Sequence, residues 1–310
     1  MIVYQGDPAG WETPEQGSAV AIGVFDGVHL GHRRVLRALH GNANGLTRVA
    51  MTFGIHPAAV LAPDRAPTRL STLKRRFELL EAAGIDRIAV LGFDESMRDM
   101  TPEEFVDRFL VEGLKTRFVA VGSGFRFGRG ASGTTDTLAE LGASRGFRVE
   151  VVEIARQADE EIRSTLIRER VESGNVEGAA AMLGRPYEME GIVVPGDGRG
   201  RQLGVPTANV SFPAVLTVPS EGVYAVRVGI DGSDYRGVAN LGVRPTFDGT
   251  ERVLEVHVLD HDMDLYGKQL DVGFVRRIRE ERRFASVDEL LTQIRTDIKA
   301  AARILDEQAS

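Results

Sequence analysis

Between Gly17 and about Ala155, short apolar runs alternate with stretches of helical spacing, and the alternation ends after Leu183. Runs such as Ile88-Ala89-Val90-Leu91 and Phe118-Val119-Ala120-Val121 have no polar face, the pattern of strands covered on both sides. The spacing predicts strands at Ser18–Gly23, Thr47–Thr52, Arg87–Gly92, Arg117–Gly122 and Phe147–Val152. It predicts helices near His32–Leu39, Thr72–Ala82, Thr101–Glu112 and Thr135–Ser144. Strand and helix in strict turn imply a parallel sheet with right-handed crossovers. The helix start at Thr101-Pro102-Glu103-Glu104 has a capping threonine, a proline at the first helical position and a glutamate three residues after the cap.

After Leu183 the chain is rich in glycine, proline and short β-type segments. Strands are expected at Met189–Val194, Val223–Val228, Tyr235–Leu241, Arg252–Leu259 and Gln269–Val275, closely spaced as in an antiparallel barrel. A last helix is expected behind a capping box of Ser286 and Glu289, with Val287, Leu290, Leu291, Ile294, Ile298, Ala301 and Leu305 on one face. The fold class is therefore α/β followed by β, in a chain of 310 residues that is long enough for two domains of about 150 each. The boundary is placed at Gly184-Arg185-Pro186, giving domains 1–184 and 185–310.

Composition narrows the function. There is no cysteine, which excludes disulfides, thiolate metal sites and Cys nucleophiles and is compatible with a cytoplasmic location. The formal charge of −7 argues against wrapping nucleic acid. No apolar run reaches the ~20 residues of a membrane-spanning helix, and Met1 to Gly17 lacks the pattern of a secretory signal.

Two segments carry chemistry. The first predicted strand runs through Gly23 into Val24-Phe25-Asp26-Gly27-Val28-His29-Leu30-Gly31-His32. The carboxyl end of a parallel strand feeding a helix is where an open sheet binds ligand, and a helix N-terminus offers free N–H groups to phosphate. Gly27 and Gly31 let the backbone approach closely, and His29 and His32, three apart, can converge on one oxyanion. A plain strand–turn–helix with two exposed histidines is the competing reading; a metal site ranks lower for want of a third ligand. Further along, Ser164, Thr165 and Arg168 cluster at a helix start, which fits either a phosphate grip or an ordinary cap.

The second segment is a glycine loop with Gly196, Gly198, Arg199, Gly200, Arg201 and Gly204, leading to Pro206-Thr207-Ala208-Asn209. Its glycines can present successive N–H groups to phosphate. On an extended strand Thr207 and Asn209 share one face, and their oxygens are hard ligands suited to Mg²⁺. A mobile surface loop before an edge strand explains the same composition.

His29-Leu30-Gly31-His32 resembles the HxGH signature of the nucleotidyltransferases. The longer run from Gly23 through Phe25, Asp26 and Gly27 resembles the bacterial bifunctional riboflavin kinase/FAD synthetase (FMN adenylyltransferase) family. Thr52-Phe53-Gly54-Ile55-His56-Pro57, Gly122-Ser123-Gly124-Phe125-Arg126-Phe127-Gly128 and Ser164-Thr165-Leu166-Ile167-Arg168 follow in the family's order. Leu183-Gly184-Arg185-Pro186-Tyr187, Asn240 to Phe247, Leu254-Glu255-Val256-His257, Leu265-Tyr266-Gly267 and Arg279 to Phe284 resemble its kinase half.

The resemblance implies a Rossmann-like nucleotidyltransferase sheet followed by a riboflavin kinase barrel. ATP is the implied co-substrate and Mg²⁺ the cofactor. The substrates are riboflavin and FMN, in a monomer or weak homo-oligomer with no membrane partner. It implies flavin contacts at Phe53, His56, Pro57, Phe125, Phe127, Arg279, Glu281 and Phe284, and a general base at Glu255. Gly54 and Ile55 depart from the acidic residue and proline usual before His-Pro, and Gly124 replaces an Asp or Asn. A kinase with a weakened or altered adenylyltransferase half is accordingly the alternative.

Overall fold

Strands β1 (Ile2–Tyr4), β2 (Ser18–Ile22), β3 (Thr47–Phe53), β4 (Arg87–Leu91), β5 (Thr116–Gly122) and β6 (Arg148–Val152) form one sheet, every pair parallel, in the order β1-β4-β3-β2-β5-β6. These coordinates are a computed structural model that describes the chain apart from residues 14, 44, 158, 197–199, 201–203, 247–248, 262 and 309–310. Alternate residues of each central strand feed two different cores. Val20 and Ile22 join Val49, Met51, Val119 and Val121 on one face, while Ala19 and Ala21 join Ala50, Ile88, Phe118 and Ala120 on the other. Burial of both faces is why these strands lack a polar side. β1 lies outside the expected set, because three residues at a sheet edge carry too little periodicity to read.

The helices of this sheet are α1 (Leu30–Asn42), α2 (Pro57–Leu61), α3 (Leu73–Ala82), α4 (Glu95–Asp99), α5 (Pro102–Phe105) and α6 (Thr135–Arg145). The expected capping box is present at α5: Thr101 Oγ1 accepts from Glu104 N, and Glu104 Oε2 accepts from Thr101 N at 2.8 Å. The expected single helix over 101–112 is interrupted, however. Beyond Phe105 the turn widens to π geometry over Val106–Gly113, and the Leu114 N–H reaches the Phe109 carbonyl at 3.0 Å. The wider turn keeps Phe105, Val106, Phe109 and Leu110 in one core.

A short β7 (Arg156–Gln157) and β8 (Glu160–Glu161) precede α7 (Ser164–Glu172) and α8 (Val176–Leu183). Then β9 (Tyr187–Val194), β10 (Ala208–Ser211), β11 (Gly222–Ile230), β12 (Ser233–Thr246), β13 (Gly249–Val258) and β14 (Gln269–Arg279) close an antiparallel barrel in the order β10-β13-β12-β11-β14-β9. α9 (Val287–Glu307) ends the chain, with Ala301, Ile304 and Leu305 packed on Val223, Ala225 and Val275. Its cap differs from the expected box. Ser286 Oγ accepts from Glu289 N, but the Glu289 carboxylate turns back to the N–H of Ala285, at 3.1 Å.

The chain divides into two compact units, Met1–Pro67 with Leu73–Ser164, and Thr68–Thr72 with Thr165–Ser310. The sequence division after residue 184 falls elsewhere. α8 packs against β9 and β14 of the second unit, and Glu177 pairs with Arg276 at 2.8 Å.

Candidate functional site

β2 is flanked by β3 and β5, so the chain leaves its C-terminal end where the strand order reverses, the expected ligand crevice of an open sheet. The loop that follows is strained. Phe25 has φ 52°, Gly27 74° and Val28 39°, and a β-branched residue is rarely held there. What holds it is buried. Thr52 Oγ1 donates to Val24 O at 2.8 Å, and Arg76 of α3 donates to Phe53 O at 3.0 Å while facing Asp26 at 4.0 Å. Asp26 is 2% exposed, which makes it a support of the loop.

His29 caps α1, its Nδ1 accepting the N–H of His32 at 3.1 Å. With Nδ1 accepting, a neutral ring carries its proton on Nε2. His32 stacks on His29 with ring centres 3.5 Å apart and planes 15° apart, and Phe25 meets His32 edge-on. The pair expected from the spacing is thus assembled at a helix N-terminus. A Cβ on Gly31 would meet the His29 ring at 3.1 Å, and one on Gly23 would meet Phe25 at 3.1 Å, so both glycines make room for the aromatic groups.

The other residues expected at this site have mixed placements. Ser164 Oγ lies 3.5 Å from Asp26 O, Thr165 is exposed, and Arg168 belongs to the second unit, where its Nε donates to Thr68 O at 2.6 Å. Phe53 is half-buried against Phe93. His56 caps α2 through Nδ1, with Pro57 as the first helical residue. Phe125 is half-buried and stacks on Phe127 at 5.4 Å. Phe127 itself is a core residue, 7% exposed and packed on Phe105, because alternate aromatics on one segment find the same apolar interior.

In the second unit a cavity of about 860 Å³ opens on the barrel. Gly196, Gly200, Thr207, Asn209, Glu255, Arg279, Glu281 and Phe284 all border it. Gly204 has φ 75° and is not on its wall, and Gly198, Arg199 and Arg201 lie outside the described residues. Register explains the convergence. Glu255 of β13 stands directly opposite Asn209 of β10 on one side and Asn240 of β12 on the other. His257, two residues on, donates Nδ1–H to Pro206 O at 2.7 Å and so fixes the segment before Thr207. A Cβ on Gly200 would meet Val205 O at 2.5 Å and Thr207 Oγ1 at 3.0 Å, and one on Gly196 would strike the Asn209 amide.

Sequence reasoning missed several members of this wall. Arg244 Nη2 lies 3.9 Å from Glu255 Oε1, and Asn240 Nδ2 lies 3.4 Å from Glu281 Oε1. Leu290 and Ile294, expected only as part of the apolar face of α9, stay half-exposed on the cavity, and Val287 is 57% exposed. An apolar helix stripe longer than the barrel needs was the available signal. Thr207 and Asn209 offer oxygen donors beside a carboxylate, a set that suits Mg²⁺. Among the described residues no group of three or more His, Asp or Glu gathers elsewhere to hold a metal.

Residues 12–166 match the family model described as FAD synthetase, and residues 183–305 match the one described as riboflavin kinase. The bifunctional riboflavin kinase/FMN adenylyltransferase of Escherichia coli strain K12 is 39% identical over 289 residues, 92% of each chain. That of Pseudomonas fluorescens is 41% identical over 296 residues, 94% of each. A solved structure described as a macrolide-efflux protein from Streptococcus pneumoniae shares the fold with a TM-score of 0.90 at 30% identity, covering 97% of this chain and 99% of that one. Among the described residues no helix is long and apolar enough to cross a membrane. With both halves matched and relatives aligned over 92% to 94% of each chain, this chain belongs to the bacterial bifunctional riboflavin kinase/FMN adenylyltransferase family.

Proposed function

We propose that this chain phosphorylates riboflavin to FMN in the barrel cavity and adenylylates FMN to FAD at the loop after β2, acting in the cytoplasm as a monomer or weak homo-oligomer. The observation that carries the reading is the convergence of Glu255, Thr207, Asn209 and an aromatic wall on one cavity of about 860 Å³. The 5′-hydroxyl of riboflavin is a poor nucleophile; a carboxylate within hydrogen-bond reach takes its proton as it attacks the γ-phosphorus of ATP, and the bond from that phosphorus to the β,γ-bridging oxygen breaks to release ADP. Thr207 and Asn209 would hold Mg²⁺, which when bound neutralises phosphate charge. Gly196 and Gly200 leave the backbone open to phosphate oxygens, and His257 keeps the Pro206 end of the loop in place.

In the first unit the FMN phosphate brings its own nucleophilic oxygen. It attacks the α-phosphorus of ATP in line, and pyrophosphate leaves. His29, the stacked His32 ring and the N-terminal N–H groups of α1 would stabilise the negative charge that builds up on those phosphates. Asp26, Thr52 and Arg76 hold the loop in its strained form.

One observation favours the second reading, a kinase with a weakened adenylyltransferase half. A Cβ at Gly124 would meet nothing within 4 Å, so the space for a polar side chain is kept while the side chain is gone. A single product analysis separates the readings. Wild type supplied with riboflavin, ATP and Mg²⁺ is expected to give FMN and then FAD, while FMN alone would establish the weakened form. Glu255→Gln is expected to slow FMN formation by roughly 10²–10⁴-fold. Unchanged turnover in that variant would remove Glu255 from the chemistry.

A further inference from the structure

α9 is not a barrel strand, yet it brings a carboxylate to the cavity wall. Asp297 is 4% exposed, and its Oδ2 takes Arg279 in a fork, from Nη2 at 2.8 Å and Nε at 3.0 Å. Gln293, one turn earlier, donates from Nε2 to Asp297 Oδ1 at 2.7 Å and accepts Arg282 Nη2–H on Oε1 at 2.8 Å. Carboxylate only accepts and guanidinium only donates, so both ends of the amide have one consistent assignment. The helix thus holds two guanidiniums from the segment after β14. Both then approach one ring, with Arg279 5.7 Å and Arg282 4.7 Å from the centre of Phe284, inside the ~6 Å reach of a cation–π contact. Arg279, Arg282, Phe284 and Asp297 all border the cavity.

Covering the barrel does not require this arrangement. Ala301, Ile304 and Leu305 already seal α9 to the strands. A carboxylate this buried is costly unless it is paired, and its pairing here is with the residues that orient an aromatic ring.

We infer that Asp297 and Gln293 are positioning residues for riboflavin. They fix Arg279 and Arg282, and these fix the Phe284 ring against which the planar flavin ring stacks. The inference rests on the reading of the barrel cavity as the kinase site. Its consequence is that the terminal helix sets the affinity for the vitamin through Phe284, independently of the groups that grip ATP.

The test is steady-state kinase kinetics on the full chain for wild type, Asp297→Asn, Gln293→Ala, Phe284→Ala and the double variant D297N/F284A. Asp297→Asn is expected to raise the riboflavin KM about tenfold, with kcat and the ATP KM within about twofold. Gln293→Ala is expected to raise it about threefold. In the Phe284→Ala background Asp297→Asn adds nothing further, because its effect runs through that ring. Additive effects, equal rises in both KM values, or an unmoved riboflavin KM overturn the inference. Should Asp297→Asn fail to fold, Gln293→Ala decides by the same criteria. A wild type that makes no FMN would overturn the kinase reading and this inference with it. An active wild type with unmoved riboflavin KM in the variants overturns this inference alone.

Discussion

At the scale of single residues, the histidine pair shows how much chemistry one hydrogen bond decides. His29 Nδ1 accepts from the N–H of His32, so in the neutral ring the cap selects the tautomer with the proton on Nε2. Gly31 lies beneath that ring, and a methyl there would meet His29 at 3.1 Å and Ile162 O at 3.4 Å. Gly31→Ala is therefore expected to cut FMN adenylylation about 10²-fold, the scale of loss when a reacting group is misplaced by an ångström. Alanine is the better helix former by up to about 1 kcal/mol, so this loss should come without a fall in melting temperature. Pyrophosphate release assayed beside a thermal melt checks both halves of the expectation, and full activity would show that the ring position is not critical. HxGH spacing made the pair legible in the sequence, whereas the stacking of its rings was not, because helical spacing brings two side chains near without setting their planes.

Among elements, ties between strands decide which side chains matter. Asp86, just before β4, accepts from Arg48 of β3 through both the backbone N–H at 2.9 Å and the guanidinium at 2.7 Å. The hydrogen bonds from Arg48 hold the Asp86 carboxyl below the usual carboxylate range. In the unfolded chain it titrates near ~4. The stabilisation is thus fully present above that pH and is lost as pH falls through the lower folded value. Screening at this half-exposed pair keeps it under about 1 kcal/mol. Urea unfolding of Asp86→Asn against wild type should show that gap at pH 7 and its progressive shrinkage as the pH is lowered below ~4. A gap that persists in acid would assign the effect to something other than ionisation. The strands themselves were readable because buried runs have a plain period. The partner of Asp86 was not, since 38 residues separate it from Arg48 and nothing local points between them.

For the whole molecule, the segment Thr68–Thr72 belongs to the barrel unit although it lies far from the barrel in sequence. Arg69 N donates to Val215 O at 2.7 Å, Thr217 N to Arg69 O at 2.8 Å and Arg168 Nε to Thr68 O at 2.6 Å. At about 1 kcal/mol net for each bond, a fragment of residues 165–310 loses roughly 3 kcal/mol. It is expected to melt roughly 5–10 °C below the corresponding transition of the full chain, followed by circular dichroism. Equal melting would show that the segment contributes no stability. The alternation of apolar runs with helical spacing, the cap at Thr101 and the motifs around His29, Thr207 and Glu255 were all present in the amino-acid order, because periodicity and local turn chemistry act over a few residues. Tertiary structure alone decided that Glu255 faces Asn209 and Asn240, that Asp26 is held by Arg76 and that Phe127 lies in the core. It alone brought Asp297 to Arg279. Such contacts depend on strand register and on how a helix docks, and both are set by packing between segments that have no neighbourhood in the chain.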